Sequence, residues 1–146
     1  MHYGIFSQRI RYAIRVLTAL AARRERRISA RAIAEEYDIP SKYLETILGD
    51  LRSAGLLRST KGATGGYELA AEPSATRLAD IVAAVESELF TRLHDAARGN
   101  NDAAHHPETA LVDAISAELA ARLAETTVAD ALMSWQEARR TIDYVI

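Results

Sequence analysis

Apolar residues recur at helical spacing along most of this chain, and the interruptions mark its turns. Ile10, Ala13, Ile14, Leu17, Leu20 and Ala21 form one unbroken stripe, which predicts a first helix with Ser7 as its N-cap. Arg9, Arg11, Tyr12 and Arg15 lie around that stripe, and RRERR (23–27) closes it as a basic, solvated corner at the helix C-terminus. Ser29 can cap a short second helix running to about Tyr37, with Ile33, Ala34 and Tyr37 inward. Asp38-Ile39-Pro40 reads as a turn, because a residue before proline avoids helical angles and proline opens the next helix. Leu44, Ile47, Leu48 and Leu51 then repeat at three and four, while Lys42, Glu45, Thr46 and Asp50 occupy the opposite face. Gly55 stops this helix by accepting a left-handed backbone.

The period then changes. LLRST and GYELA are two strand-like runs separated by KGATGG, a hairpin signal. AEPSAT is turn-rich, and Ser74 or Thr76 can cap a helix carrying Leu78, Ile81, Val82, Val85 and Leu89. Residues 90–109 lose periodicity around the breaker clusters GNN and HHP, so an irregular loop is expected there. Periodicity returns with Leu111, Val112, Ile115, Leu119 and Leu123 in a helix of about four turns. Thr127 caps a last helix with Val128, Ala131, Leu132, Trp135, Ala138 and Ile142, where Trp135 is expected to anchor a core or a dimer interface, with stacking on a ligand as the lesser alternative. The fold class is mainly α with a small β-hairpin. Helix, tight turn, helix, then a cationic glycine-rich hairpin is the outline of a winged helix-turn-helix.

Composition narrows the function classes. A chain of 146 residues with 49% hydrophobic and 26% charged positions is one globular domain, or one domain with an appended helical region. Its 28 alanines favour helix wherever the pattern is ambiguous. No apolar run approaches the roughly 18 residues of a membrane span, and MHYGIFSQRIR has no signal-peptide core, so a cytoplasmic protein is expected. Cysteine is absent, which excludes disulfides, thiolate metal sites, all-cysteine iron–sulfur ligation and thiol redox switching.

The net charge of −2 conceals an asymmetry. Residues 1–77 carry 13 Lys or Arg against 8 Asp or Glu, a net of +5, and residues 78–146 carry 5 against 12, a net of −7. A basic half beside an acidic half suits a polyanion-binding head on a non-binding body, although an excess of arginine also serves plain solvation.

Four stretches carry a resemblance. SQRIRYAIRVLTALA, IAEEYDIPSKYLETILGDLRSAGLL, KGATGGYELA and LADIVAAVE, in this order, resemble the Rrf-two family of winged-helix regulators. The likeness is close over residues 7–90 and looser through the C-terminal helices, where TTVADAL looks like the family's late helix. It implies a DNA-binding repressor of a prokaryote, with a winged head over 1–90, the loop at 91–109 and dimerisation helices over 110–146. The homodimer would hold two heads over a palindromic operator, its helix near 110–124 crossing its mate through Leu111, Ile115, Leu119 and Leu123. By the same resemblance Lys42, Glu45 and Thr46 face base edges, and Lys61 sits on the wing with Gly62, Gly65 and Gly66. Arg9 and Arg11 match basic positions near phosphates.

The chain departs from the family pattern at three places. Pro40 stands where serine commonly opens the recognition helix, and Thr46 where glutamine is common. Cluster-binding members hold three cysteines before the dimerisation helix; here there are none, so no iron–sulfur cofactor is implied.

The chemistry of these residue types fits DNA. Lysine and arginine are rewarded by counterion release at phosphates, whereas discrimination comes from groove edges. Lys42 can donate to guanine, Glu45 can accept from cytosine N4, and Thr46 can meet a polar edge or a thymine methyl. Glu45 is alternatively a salt-bridge partner of Lys42. KGATGG is not a phosphate-binding loop, since the Gly-Lys-Ser/Thr ending is missing and a strand follows it. His94, His105 and His106, with Asp95, Asp102 and Glu108, offer a divalent metal nitrogen and oxygen ligands in principle, while adjacent loop histidines are ordinarily just solvated. No nucleophile elbow or ordered acid–base pair suggests an enzyme. Two other readings are a winged-helix protein-interaction module, and a small-molecule sensor using the 90–109 loop.

Overall fold

The computed structural model describes residues 4–24, 26–99, 104 and 106–145. Helix α1 (Gln8–Ala22) starts as its cap dictates: the Ser7 hydroxyl oxygen accepts the Ile10 N–H at 3.2 Å and in turn donates to the Glu86 carboxylate. Ile10, Ala13, Val16 and Leu17 lose all contact with solvent and form the centre of the core. Ser29 caps α2 (Ala30–Glu36) through the Ala32 N–H at 3.2 Å. The turn that follows closes on Asp38, whose φ of +52° is tolerated by aspartate, while the Ile39 N–H returns to the Ala34 carbonyl at 3.1 Å. Helix α3 (Ser41–Ser53) buries Leu44, Ile47, Leu48 and Leu51. It ends at Gly55 with φ +76°, and the Leu56 N–H reaches back to the Leu51 carbonyl at 2.9 Å.

Strands β1 (Leu57–Thr60) and β2 (Gly66–Leu69) pair antiparallel with Leu57 opposite Leu69 and Thr60 opposite Gly66. The hairpin does not stand alone. Ile28 and Tyr67 exchange backbone bonds of 3.1 and 2.8 Å, so the α1–α2 connection supplies a third rung. That close approach explains Gly66, where an added Cβ would lie 2.7 Å from the Ile28 carbonyl. At Gly65 it would lie 2.1 Å from the Thr60 oxygen.

The second half departs from the sequence expectations in three places. Neither Ser74 nor Thr76 caps α4 (Leu78–Val85), whose N-cap is Arg77. The buried Thr76 hydroxyl donates backwards to the Glu72 carbonyl at 3.1 Å, and its carbonyl accepts the Val128 N–H at 2.9 Å. This stitches the start of α4 to the start of the last helix.

Next, the stripe from Leu78 to Leu89 is not one helix. Glu86 leaves helical geometry at φ −142°, and α5 runs from Ser87 to Arg98, through much of the expected loop. The loop expected over 90–109 is corrected accordingly. Phe90 and Leu93 stand three apart among good helix formers, and Leu93 is buried in the core. The breakers act only on their own neighbourhood: Gly99 ends α5 at φ +77°, and Pro107 opens α6 (Pro107–Glu125) at a position where its missing N–H costs nothing. Helix α7 (Val128–Val145) begins in a reciprocal cap, with the Asp130 N–H on Thr127 Oγ1 at 3.3 Å and the Thr127 N–H on Asp130 Oδ2 at 2.8 Å.

Third, the three leucines and one isoleucine expected at a dimer contact do not share a face. Leu111 and Ile115 are 64% and 59% exposed, Leu119 is half-buried, and Leu123, at 5%, belongs to the chain's own core. A row at steps of four turns about 120° around an α-helix over its length, so its two ends look in different directions. One hydrophobic core runs from Ile10 through Leu93 and Leu123 to Val128, so head and C-terminal helices pack as one body.

Candidate nucleic-acid interface

Helix α3 presents Lys42, Glu45 and Thr46 to solvent, with the buried leucine and isoleucine row behind them fixing their direction. Among the described residues neither Lys42 nor Glu45 forms an ion pair, so the alternative in which they neutralise each other is not taken up here. Thr46 Oγ1 lies 3.5 Å from the Lys42 carbonyl, at the edge of hydrogen-bond range, which leaves its hydroxyl available. On the wing, Lys61 is exposed at the start of the loop that Gly62, Gly65 and Gly66 shape.

The two arginines of α1 part company. Arg9 pairs with Asp50 and thereby ties α1 to the solvent side of α3; its Nε is buried without a partner. Arg11 is exposed and lines a pocket beside Trp135, away from the α3 readers. The structure thus brings Lys42, Glu45 and Thr46 together on one helix face and Arg9 against it, but it does not add Arg11 to that group.

One residue escaped the sequence reading, and one stretch that it took as a plain solvated corner has a further setting. Tyr43 is 50% exposed on α3, and its ring centroid lies 6.0 Å from that of Tyr12, over which the Arg15 guanidinium sits at 5.3 Å. An aromatic between Lys42 and Leu44 was the available signal, obscured because Tyr43 falls outside the inward row. The stretch is the RRERR corner. It packs against the wing across a groove of about 970 Å³ lined by Arg24, Arg26, Arg27, Ser29 and Thr64 among others. Arg23 pairs with Glu36, Arg24 with Glu72, and Arg27 with Glu68 at 3.6 Å. Exposed pairs of this kind contribute little stability and exchange partners readily, so phosphates can compete for these guanidiniums. Only the fold, through the Ile28–Tyr67 pairing, sets the corner beside the wing.

His94 and His106 do not share a site among the described residues. His94 packs edge-on against Phe90 with centroids 4.8 Å apart, and His106 caps α6. His105 lies outside the described residues. Among the described residues no three His, Asp or Glu side chains gather as a metal would require.

A capped helix, a tight turn, a second helix with an outward polar face and a hairpin anchored beside it define a winged helix-turn-helix. Comparison with known proteins places the chain more narrowly. Residues 6–134 match the Rrf2 family model, described as an iron-dependent transcriptional regulator, and the chain belongs to this family, which is one of regulators and not of enzymes. It is 38% identical over 77 residues to the HTH-type transcriptional regulator CymR of Bacillus subtilis, covering 52% of this chain and 56% of CymR. Over 79 residues it is 40% identical to the protein rrf2 of Nitratidesulfovibrio vulgaris, covering 53% of each. The chain spans about half the length of the curated relatives it matches.

Likeness in structure extends further than likeness in sequence. The structure of B. subtilis CymR, described as a global cysteine regulator, aligns with a TM-score of 0.72 at 27% identity over 90% of this chain and 98% of that one. IscR of T. potens aligns at 0.76 and 28% identity over 93% and 91%. The family's description raises the question of iron, and the donors here do not fit a cysteine-ligated cluster, since the chain contains no cysteine. No helix among the described residues is long and apolar enough to cross a membrane.

Proposed function

We propose that the protein is a DNA-binding transcriptional repressor that grips a palindromic operator as a cytoplasmic homodimer and senses its signal without an iron–sulfur cluster. The observation that carries this reading is the unpaired outward face of α3, Lys42 with Glu45 and Thr46, beside a wing bearing exposed Lys61. In it Lys42, Glu45 and Thr46 read base edges, while Lys61, the glycines of the loop and the RRERR corner follow the backbone. Arg9 supports α3 through Asp50 and contacts a phosphate only by leaving that partner. Residues 1–90 serve as the head, and the open apolar face of α6 at Leu111, Val112 and Ile115 supports pairing of two copies.

The test is binding to the palindromes upstream of the protein's own gene, over sites of about 25 base pairs, as salt is varied. A steep inverse salt dependence is expected. Lys61→Ala should weaken binding to all sequences and reduce the salt slope by about one per head, whereas Glu45→Ala should change preference at one base position. Binding that ignores salt, or no binding at any such site, would sink the reading.

A further inference from the structure

One pocket lies outside the DNA-facing surface and has an unusual lining. It occupies about 490 Å³ between α1, the turn leading from α2 into α3, and α7. Its walls include Phe6, Ile14, Tyr37 and Trp135, and Arg11, Arg15 and Thr18 bring polar groups to it. Among the described residues no aspartate or glutamate lines it. Thr18 is 8% exposed, and its hydroxyl oxygen, cut off from solvent, has no hydrogen-bond partner. A buried hydroxyl without a partner is destabilising, and a valine of the same shape would avoid it. A group held at such a cost in a concave, mostly apolar site is what a ligand-binding pocket displays.

We propose that this pocket binds an arylalkanoate, an aromatic ring carrying a short carboxylate arm, and that its occupancy weakens the grip on DNA. The Arg15 guanidinium, held by neutral carbonyls rather than by a carboxylate, selects an anion over a cation, and the aromatic walls select a flat apolar body. Guanidinium is the side chain whose geometry matches a carboxylate, and the Thr18 hydroxyl supplies a further hydrogen bond. The link to DNA runs through Arg15, whose Nη1 donates to the Tyr37 carbonyl at 3.0 Å and the Asp38 carbonyl at 3.3 Å. Those carbonyls belong to the turn that aims α3. A carboxylate that draws Arg15 towards itself takes support from that turn, so ligand and DNA oppose each other. This second half rests on the DNA-binding reading above; the pocket itself does not.

Trp135 is the chain's single tryptophan, so its emission reports the pocket directly. Titration of the full chain with 3-phenylpropionate should give a saturable change in emission with half-saturation at roughly 0.1–1 mM, given the ligand's size. The alcohol 3-phenylpropan-1-ol should bind at least about tenfold more weakly, having no charge to meet the arginines. Thr18→Val should raise the free protein's Tm by roughly 2–4 °C while weakening the acid about fivefold, and Thr18→Ser should restore binding. That pair of opposite effects excludes misfolding as the cause. Operator affinity should fall at least about fivefold in saturating acid.

An emission that does not respond to the acid at 10 mM overturns the pocket, as does equal binding of the alcohol or of Thr18→Val. Emission that shifts with protein concentration and not with the acid also overturns it, assigning the groove to a second copy. Saturable binding that leaves operator affinity unchanged overturns the coupling. Saturable binding by a chain that never binds DNA removes the proposed function and leaves the pocket standing.

Discussion

Helices α1 and α6 both carry apolar rows at helical spacing and use them in opposite ways. In α1 the row from Ile10 to Ala21 is buried except at Ile14, which is half-buried. In α6 the row begins in solvent at Leu111 and enters the core only at Leu123. Periodicity reports that a face will be buried, and it is silent on whether the same chain or another covers it. The difference comes from neighbours: α1 is packed by α3, α4, α7 and β2, whereas α6 packs mainly on α5 and less on α4.

The largest expected effect breaks the comparison from the α1 side. Leu17→Ala removes a side chain with no solvent exposure and should cost roughly 2–5 kcal/mol, read as a lower urea midpoint at an unchanged slope. A loss below about 1 kcal/mol would mean that the row is less essential to the core than its burial indicates.

Ile115→Asp probes the other helix. The substitution should leave the midpoint for unfolding of the monomer within about 0.5 kcal/mol, as surface changes do, yet convert a sedimenting dimer into a monomer. A dimer that persists would place the interface elsewhere.

The smallest effect sharpens the account of how α7 is held to α1. Thr127→Ala removes one half of the cap and should cost about 1 kcal/mol. The backbone N–H of Thr127 first, and its hydroxyl second, hold the Asp130 carboxyl below the ordinary carboxylate range. A carboxyl lowered on folding binds its proton less readily in the native state. Its contribution is therefore complete above the ordinary carboxylate value and disappears as pH falls through the lowered one. Acid titration of stability should show this loss in the parent and not in Asp130→Asn.

Much of the head was legible because each boundary there has a local cause. Ser7, Ser29 and Gly55 each close or open a helix through a bond to a backbone group within five residues, and the turn at Asp38 is closed by the Ile39 N–H on the Ala34 carbonyl. Thr127 behaves likewise. Thr76 was misread because its hydroxyl and carbonyl are claimed by partners on two sides, one of them more than fifty residues away. The helix over 87–98 is hidden in the pattern because only Phe90 and Leu93 mark its inward side and breakers cluster just beyond it. For the interface, the outward set on α3 followed from period alone. The Arg9–Asp50 pair and the basic corner beside the wing depend on long-range contacts that no spacing encodes.

The pairing of Ile28 with Tyr67 has a thermodynamic consequence. An isolated two-stranded hairpin is marginal in water, so a wing of that kind would have to freeze its backbone as DNA arrives, at a cost of order 1 kcal/mol or more for each residue ordered. Here the third rung fixes the hairpin beforehand, and folding of the head has already met that entropy. In the proposed function Lys61 would therefore meet DNA from a preorganised base, and more of each contact would remain as affinity.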